Sequence, residues 1–254
     1  LHFPQYVSFL LTGTITAEHT SIGCHTALWD FDQMKYHDWV ADEGISLPVP
    51  APVEQSHPAS GIGSEVPVGI GIHDSSASLV PYFRHSDGKF ILVSTGTWCI
   101  SMNPFNHSPL TPSQLEQDCL AYMSIQQKPV KSSRLFLGHI HDVNVKRLTE
   151  FFGVAGDSYK SVVPDAELLK KVRDTAQDGR YFFREGVPEE YIDTEASLEA
   201  FADFGEAYHR LMIDLVGLTV DSIGLITEPG KPPGNLFVTG GFAKNTLFTG
   251  LLAA

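Results

Sequence analysis

The chain has 254 residues, 43% hydrophobic and 19% charged, with a formal net charge of −13 at pH 7. That length and balance are those of a globular protein with a real core, in one large domain or two smaller ones, and no apolar run approaches a membrane span. The acidic balance argues against a nucleic-acid partner, whose phosphates need a basic face, but leaves room for a nucleotide held by a local glycine loop or a metal ion.

In chain order, residues 1 to about 47 mix helical patches with the polar segment TAEHTSIGCHTALWDFDQ. Residues 48–67 are rich in Pro, Gly and Ser and predict an extended loop. PVGIGI predicts a strand, followed by a turn at His73 and Asp74 and a short helix over SSASLVPY. RHSDGK, residues 84–89, has the polarity of a boundary turn. KFILVSTGTWCISMNPF predicts two strands broken by a glycine turn, and CLAYMSIQQ a further strand. In DVNVKRLTEFFGV the residues Val145, Leu148 and Phe152 share a helical stripe. The charged segment from YKSVV to EEYID predicts irregular structure. The longest helix is expected over ASLEAFADFGEAYHRLMIDLVGLTVDSIGLITE, with Phe201, Phe204, Tyr208, Leu211, Leu215 and Leu218 on one face. NLFVTGG then predicts a buried strand, and FAKNTLF opens a last helix. Strands followed by alternating helix, strand and helix imply an α/β fold with a mixed sheet.

Two glycine turns carry the chemistry. In VSTGTW, Gly96 allows the backbone to aim amides outward, and Ser94, Thr95 and Thr97 add hydroxyls, which equips the turn to cradle a phosphate. An ordinary hairpin with threonines at its tip has the same sequence. In LFVTGGFAKN, Gly240 and Gly241 stand where a strand gives way to a helix, so a ligand could approach the backbone and face the positive helix end. Close packing would also call for these glycines. Neither turn is a Walker A loop or a complete dinucleotide fingerprint. Asp74 follows an apolar strand and precedes small residues. It reads as a helix N-cap or as a base that accepts a proton from a substrate hydroxyl, and one carboxylate can serve both roles.

GIGIHDSSASL, VSTGTWCISMNPF and LFVTGGFAKNTLF, in this order, resemble the FGGY carbohydrate kinases, nearest the rhamnulokinase and L-fuculokinase branch. LTGTITAEHTSIGCHTALWDFD resembles the end of the family's first domain near the sugar, and DCLAYMSIQQKPVKSSRLFLG the sheet after the second phosphate loop. The resemblance implies a ribonuclease H-like, actin-like ATPase fold. Residues 1–84 would end the sugar-binding domain, and residues 85–254 would form most of the nucleotide-binding domain, with a hinge near residues 82–90. It implies ATP with Mg2+ as cofactors and phosphoryl transfer to a hydroxyl of a ketose of the rhamnulose, fuculose or xylulose type. Asp74 would be the general base and His73 would sit beside the sugar, with Thr20, Thr26 and Trp29 in the segment that approaches it. Ser94, Thr95, Gly96 and Thr97 would hold the β- and γ-phosphates. Gly240, Gly241 and Asn245 would lie against the α-phosphate and adenosine. The competing reading is a non-catalytic sugar- or nucleotide-binding domain of the same fold.

The family's first phosphate loop, with its magnesium-binding Asp, has no counterpart among these residues. The chain starts at LHFPQ without a basic leader and stops at LFTGLLAA within a helical pattern, and so reads as part of a longer protein. Cys24, Cys99 and Cys119 are far apart and odd in number, which disfavours a zinc ribbon or disulfide framework and fits a reducing, cytoplasmic setting. HIHD, residues 139–142, places two histidines on one face of a presumed strand with Asp142 capping the next helix, and no metal site is expected from it. The expected partners are the sugar and ATP, with no nucleic acid or membrane and a homodimer left open.

Overall fold

A computed structural model describes residues 2–60, 66–174, 179–228, 230 and 234–254. It divides into two compact units that interleave in sequence. The first holds residues 1–90, 102–132 and 233–235, and the second residues 91–101, 133–232 and 236–254.

In the first unit, α1 (Phe3–Thr12) opens with Pro4 in its first turn, where a missing N–H costs nothing, and stops at Gly13 in the left-handed region (φ 70°). α2 (His19–His25) follows, capped by Glu18. A small antiparallel pair, β1 (Trp29–Asp30) and β2 (Lys35–Tyr36), leads into α3 (Asp38–Asp42). The expected loop over 48–67 contains β3 (Ser56–Pro58), which pairs antiparallel with β4 (Pro67–Gly69), setting Ser56 opposite Gly69 and Pro58 opposite Pro67. Its residues 61–65 lie outside the described residues. β4 ends at Gly69, short of the predicted PVGIGI, because α1 takes over the next carbonyls. Gln5 Nε2 donates to the oxygens of Ile70 (3.3 Å) and Gly71 (2.7 Å), and Ser8 Oγ to that of Gly69 (2.8 Å). α4 (Asp74–His85) is longer than the predicted SSASLVPY.

Strand β5 (Phe90–Thr95) is buried at nearly every position rather than alternately, which marks a strand covered on both faces. It is followed by β6 (Cys99–Asn103), α5 (Pro112–Glu116), β7 (Cys119–Met123), β8 (Pro129–Leu135) and, later, β9 (Asn235–Gly240). The sheet order is β7-β8-β6-β5-β9. In the first unit α2 packs on β7, and Gly23 makes this approach possible, since a Cβ there would stand 3.0 Å from Met123 Cβ. Ala17, Ile22, Trp29 and Met123 form the core beneath.

In the second unit α6 (Leu137–Phe152), α7 (Ala166–Asp174) and α9 (Thr246–Ala253) pack on α8 (Phe204–Ile226). Two sequence expectations are corrected here. The segment expected to be irregular contains α7, and α8 starts at Phe204 because Asp203 caps it by accepting the Glu206 N–H (2.9 Å). Phe201 therefore lies outside the helix stripe, buried against Phe182. Tyr208, Leu211 and Leu215 have no exposed surface, and each contributes about 1.5–3 kcal/mol of apolar burial. The same helix buries an ion pair, Arg210 to Asp214 at 2.6 Å. The second Asp214 oxygen accepts the N–H groups of Tyr181 (2.9 Å) and Phe182 (2.7 Å), tying that segment to α8. Burial pushes the Asp214 carboxyl up, against the pull of Arg210 and these amides. Among the described residues, no helix is long and apolar enough to cross a membrane.

Candidate active site

In the first unit two of the predicted sugar-side residues, His73 and Thr20, meet beside Asp74 at the start of α4. The N-cap is His73, in extended conformation (φ −62°, ψ 140°), and Asp74 is the first helical residue. This corrects the expectation that Asp74 caps the helix. Its Oδ1 accepts the Ser75 N–H at 2.7 Å, and its side chain is 93% exposed, so the carboxylate faces solvent at the positive end of a twelve-residue helix. His73 is the opposite case, with a side chain 8% exposed. Its Nε2 lies 3.0 Å from Asp74 Oδ1 and 3.3 Å from Cys24 Sγ, and its ring packs near Tyr122. Ser76 Oγ donates to Met123 O at 2.7 Å, fixing the first turn of α4 to β7.

Thr20 reaches this turn directly, since its hydroxyl accepts the backbone N–H of His73 at 2.9 Å. Thr26 and Trp29 are held elsewhere in the same unit. Thr26 Oγ1 donates to Ile22 O (2.7 Å) and accepts the Leu28 N–H (3.2 Å), closing the end of α2. Trp29 is a core residue, edge-on to His19 and Tyr36. Sequence reasoning missed Glu18, which is fully buried and accepts from Thr20 N, Thr20 Oγ1 and Ser21 N. An acid directly before H-T-S at a helix start was the available signal. Burial pushes the Glu18 carboxyl up, and the hydrogen bonds from Thr20 and Ser21 oppose this.

In the second unit the two glycine turns lie side by side. Gly241 N–H donates to Thr95 O at 2.9 Å, Phe242 N–H donates to Thr95 Oγ1 at 3.0 Å, and that hydroxyl donates to Thr239 O at 2.5 Å. Thr95 is buried and its hydroxyl joins the turns, while Gly96 and Thr97 form the exposed tip and Ser94 is half-buried. Gly96 N–H pairs with Trp98 O at 2.9 Å. Gly240 has φ +87°, and a Cβ on it would lie 1.7 Å from Thr95 O. Gly138, in the first turn of α6, was missed. A Cβ there would stand 2.3 Å from Gly96 O, and its N–H donates to Thr97 O at 3.1 Å. The result is an exposed glycine-lined surface at the ends of β5 and β9, where the backbone is open to a close approach.

Asn245 caps α9 by accepting the Phe248 N–H (3.0 Å), and its Nδ2 donates to Tyr208 Oη (3.0 Å). Tyr208 continues to His141 Nε2 at 3.2 Å, and His141 Nδ1 to Asp142 at 3.1 Å. HIHD therefore lies inside α6, which corrects the strand-and-cap reading. His139 stacks on Phe136 while His141 faces Tyr208, so the two rings serve different neighbours. Burial pushes the Tyr208 phenol up to about 12 and His141 below the ordinary 6.5, with Asp142 opposing the latter. The unfolded chain thus takes up a proton that folded His141 refuses. This contribution to stability is complete above pH 6.5 and is lost as the pH falls through the lowered folded value. Melts taken from about pH 7.5 down to about 5.5 should therefore fall more steeply for the wild type than for His141→Gln, and equal slopes would contradict this.

Residues 87–158 match the family model for the carbohydrate kinase FGGY C-terminal domain. A carbohydrate kinase from Novosphingobium aromaticivorans superposes with a TM-score of 0.75 at 25% identity, covering 98% of this chain and 55% of that one. A xylulose kinase from Lactobacillus acidophilus gives 0.71 at 17% identity, over 98% of this chain and 52% of that one. A gluconate kinase from the same organism gives 0.69 at 19%, over 98% and 52%. The chain thus spans about half the length of these structures. No curated protein matches it. The fold is the ribonuclease H-like, actin-like ATPase fold of these kinases, and residues 87–158 match the FGGY carbohydrate kinase C-terminal domain.

Proposed function

We propose that the protein carrying this chain is an ATP-dependent sugar kinase, transferring the γ-phosphoryl group to a hydroxyl of a ketose of the rhamnulose, fuculose or xylulose type. The observation that carries the reading is the Asp74 carboxylate, exposed at the start of α4 yet oriented by His73 at 3.0 Å. Asp74 takes the proton of the attacking hydroxyl, the sugar oxygen bonds to the γ-phosphorus, and the bond to the β-phosphate oxygen breaks, releasing ADP. His73 orients the carboxylate and lies beside the sugar. Such a transfer depends mainly on positioning and on charge stabilisation at phosphate oxygens. Gly96, Thr97 and Ser94 supply the surface for the β- and γ-phosphates, and Gly240 and Gly241 receive the α-phosphate. Thr95 and Asn245 act from behind this surface, one joining the two turns and the other holding α9 to Tyr208.

Mg2+ on the nucleotide would neutralise phosphate charge. Among the described residues no three His, Cys, Asp or Glu side chains converge as a metal cage. The test is a coupled assay of ADP release against ketoses, polyols and aldonates. Release stimulated by a ketose supports the reading. Nucleotide or sugar binding without turnover across the panel would replace it with a binding module.

A further inference from the structure

We infer that Glu18 and Thr20 are positioning residues for the Asp74 turn, with a buried carboxylate fixing a hydroxyl that in turn holds the His73 amide. The inference rests on the reading of Asp74 as the base.

An N-cap residue's own N–H lies outside its helix and has no helical acceptor, so the His73 amide needs a partner from elsewhere. Thr20 supplies it across 53 positions of sequence. A hydroxyl is a rotor, and it accepts reliably in one direction only if its proton is committed in another. Glu18 commits it, accepting from Thr20 Oγ1 at 2.5 Å, a short charge-assisted bond. The same carboxylate accepts the Thr20 and Ser21 amides at 2.7 and 3.2 Å, so both of its oxygens are used. Capping alone does not explain it. Ser, Thr, Asp or Asn would cap α2 without the cost of burying a longer acid completely. What Glu18 adds is the polarised link to residue 73. The turn is then held from three sides, by Gln5 on Ile70 and Gly71, by Thr20 on His73, and by Ser76 on Met123. The Thr20 bond is the one adjoining Asp74.

The test uses the full-length protein. Thr20→Val keeps the shape and removes the hydroxyl, and Glu18→Gln puts an amide donor where Thr20 and Ser21 donate. For the folded fraction of each, kcat should fall about 10- to 100-fold, as for a small misplacement of a catalytic group, with KM for ATP within about threefold. Thr20→Ser should restore most of the loss. The His73 amide, followed by NMR hydrogen exchange, should exchange at least about tenfold faster in Thr20→Val, since its acceptor is gone. A purely structural role would lower the melting temperature and leave kcat intact. If both variants keep kcat within about twofold while Asp74→Asn loses turnover, the inference is wrong and the base reading stands. If Asp74→Asn itself keeps turnover, the base reading is wrong, and faster exchange at His73 would show only a structural clamp. Glu18→Gln keeps the test open should Thr20→Val fail to fold.

Discussion

Asp74→Asn should lower sugar-dependent turnover by about 10²- to 10⁴-fold, the usual contribution of a general base, with ATP affinity changed by less than about threefold. The substitution is narrow. An asparagine oxygen can still accept the Ser75 N–H that Asp74 Oδ1 accepts at 2.7 Å, and the side chain is so exposed that no packing is disturbed. What disappears is the ability to take a proton and the negative charge that faces the start of α4 and His73 Nε2 at 3.0 Å. The helix dipole favours that charge by about 0.3–1 kcal/mol, and an exposed pair adds about 0–1 kcal/mol, so stability should fall by no more than about 2 kcal/mol. Turnover within about tenfold of the wild type would remove Asp74 from the base role.

Gly240→Ala should be the most damaging single change in the second unit. The glycine has φ +87°, which costs any other residue about 1–3 kcal/mol. The added Cβ would also lie 1.7 Å from Thr95 O and 2.7 Å from Thr95 C. Those are backbone atoms, so no rotamer change relieves the clash, and the Gly241 N–H bond to Thr95 O must give way. The expected loss is about 3 kcal/mol or more, or about 6–12 °C in melting temperature, together with most of the nucleotide affinity. Gly224→Ala is the control. Nothing lies within 4 Å of a Cβ there, and the residue sits inside α8, so alanine should stabilise by up to about 1 kcal/mol. Equal melting temperatures for Gly240→Ala and wild type would mean that the two turns are not joined through Thr95.

Each turn was legible in the sequence as a local string, and the order of the motifs carried the resemblance. How the parts hold one another was not. Thr95 and Thr239 are 144 positions apart, and nothing local says that a threonine inside one glycine turn spends its hydroxyl on the other turn. Gly138 is similar, because its reason is the Gly96 carbonyl rather than anything in α6. The cap at α4 was misplaced by one residue, since Asp is the preferred cap by composition while the backbone selects His73, whose amide Thr20 holds. HIHD was misread because two histidines two apart fit a strand period. The helical stripe of Val145 and Leu148 simply extends back through Leu137, Ile140 and His141. Glu18 escaped notice because acids are rarely fully buried, and only the fold shows what its carboxylate meets.

The most direct measurement is ADP formation by the full-length protein with ATP and magnesium, with and without each sugar of a ketose, polyol and aldonate panel. Product should be followed by phosphorus NMR. Sugar-dependent ADP formation matched by an equal amount of phosphorylated ketose is the predicted result. ATP binding without sugar-stimulated ADP formation for any member of the panel would contradict it.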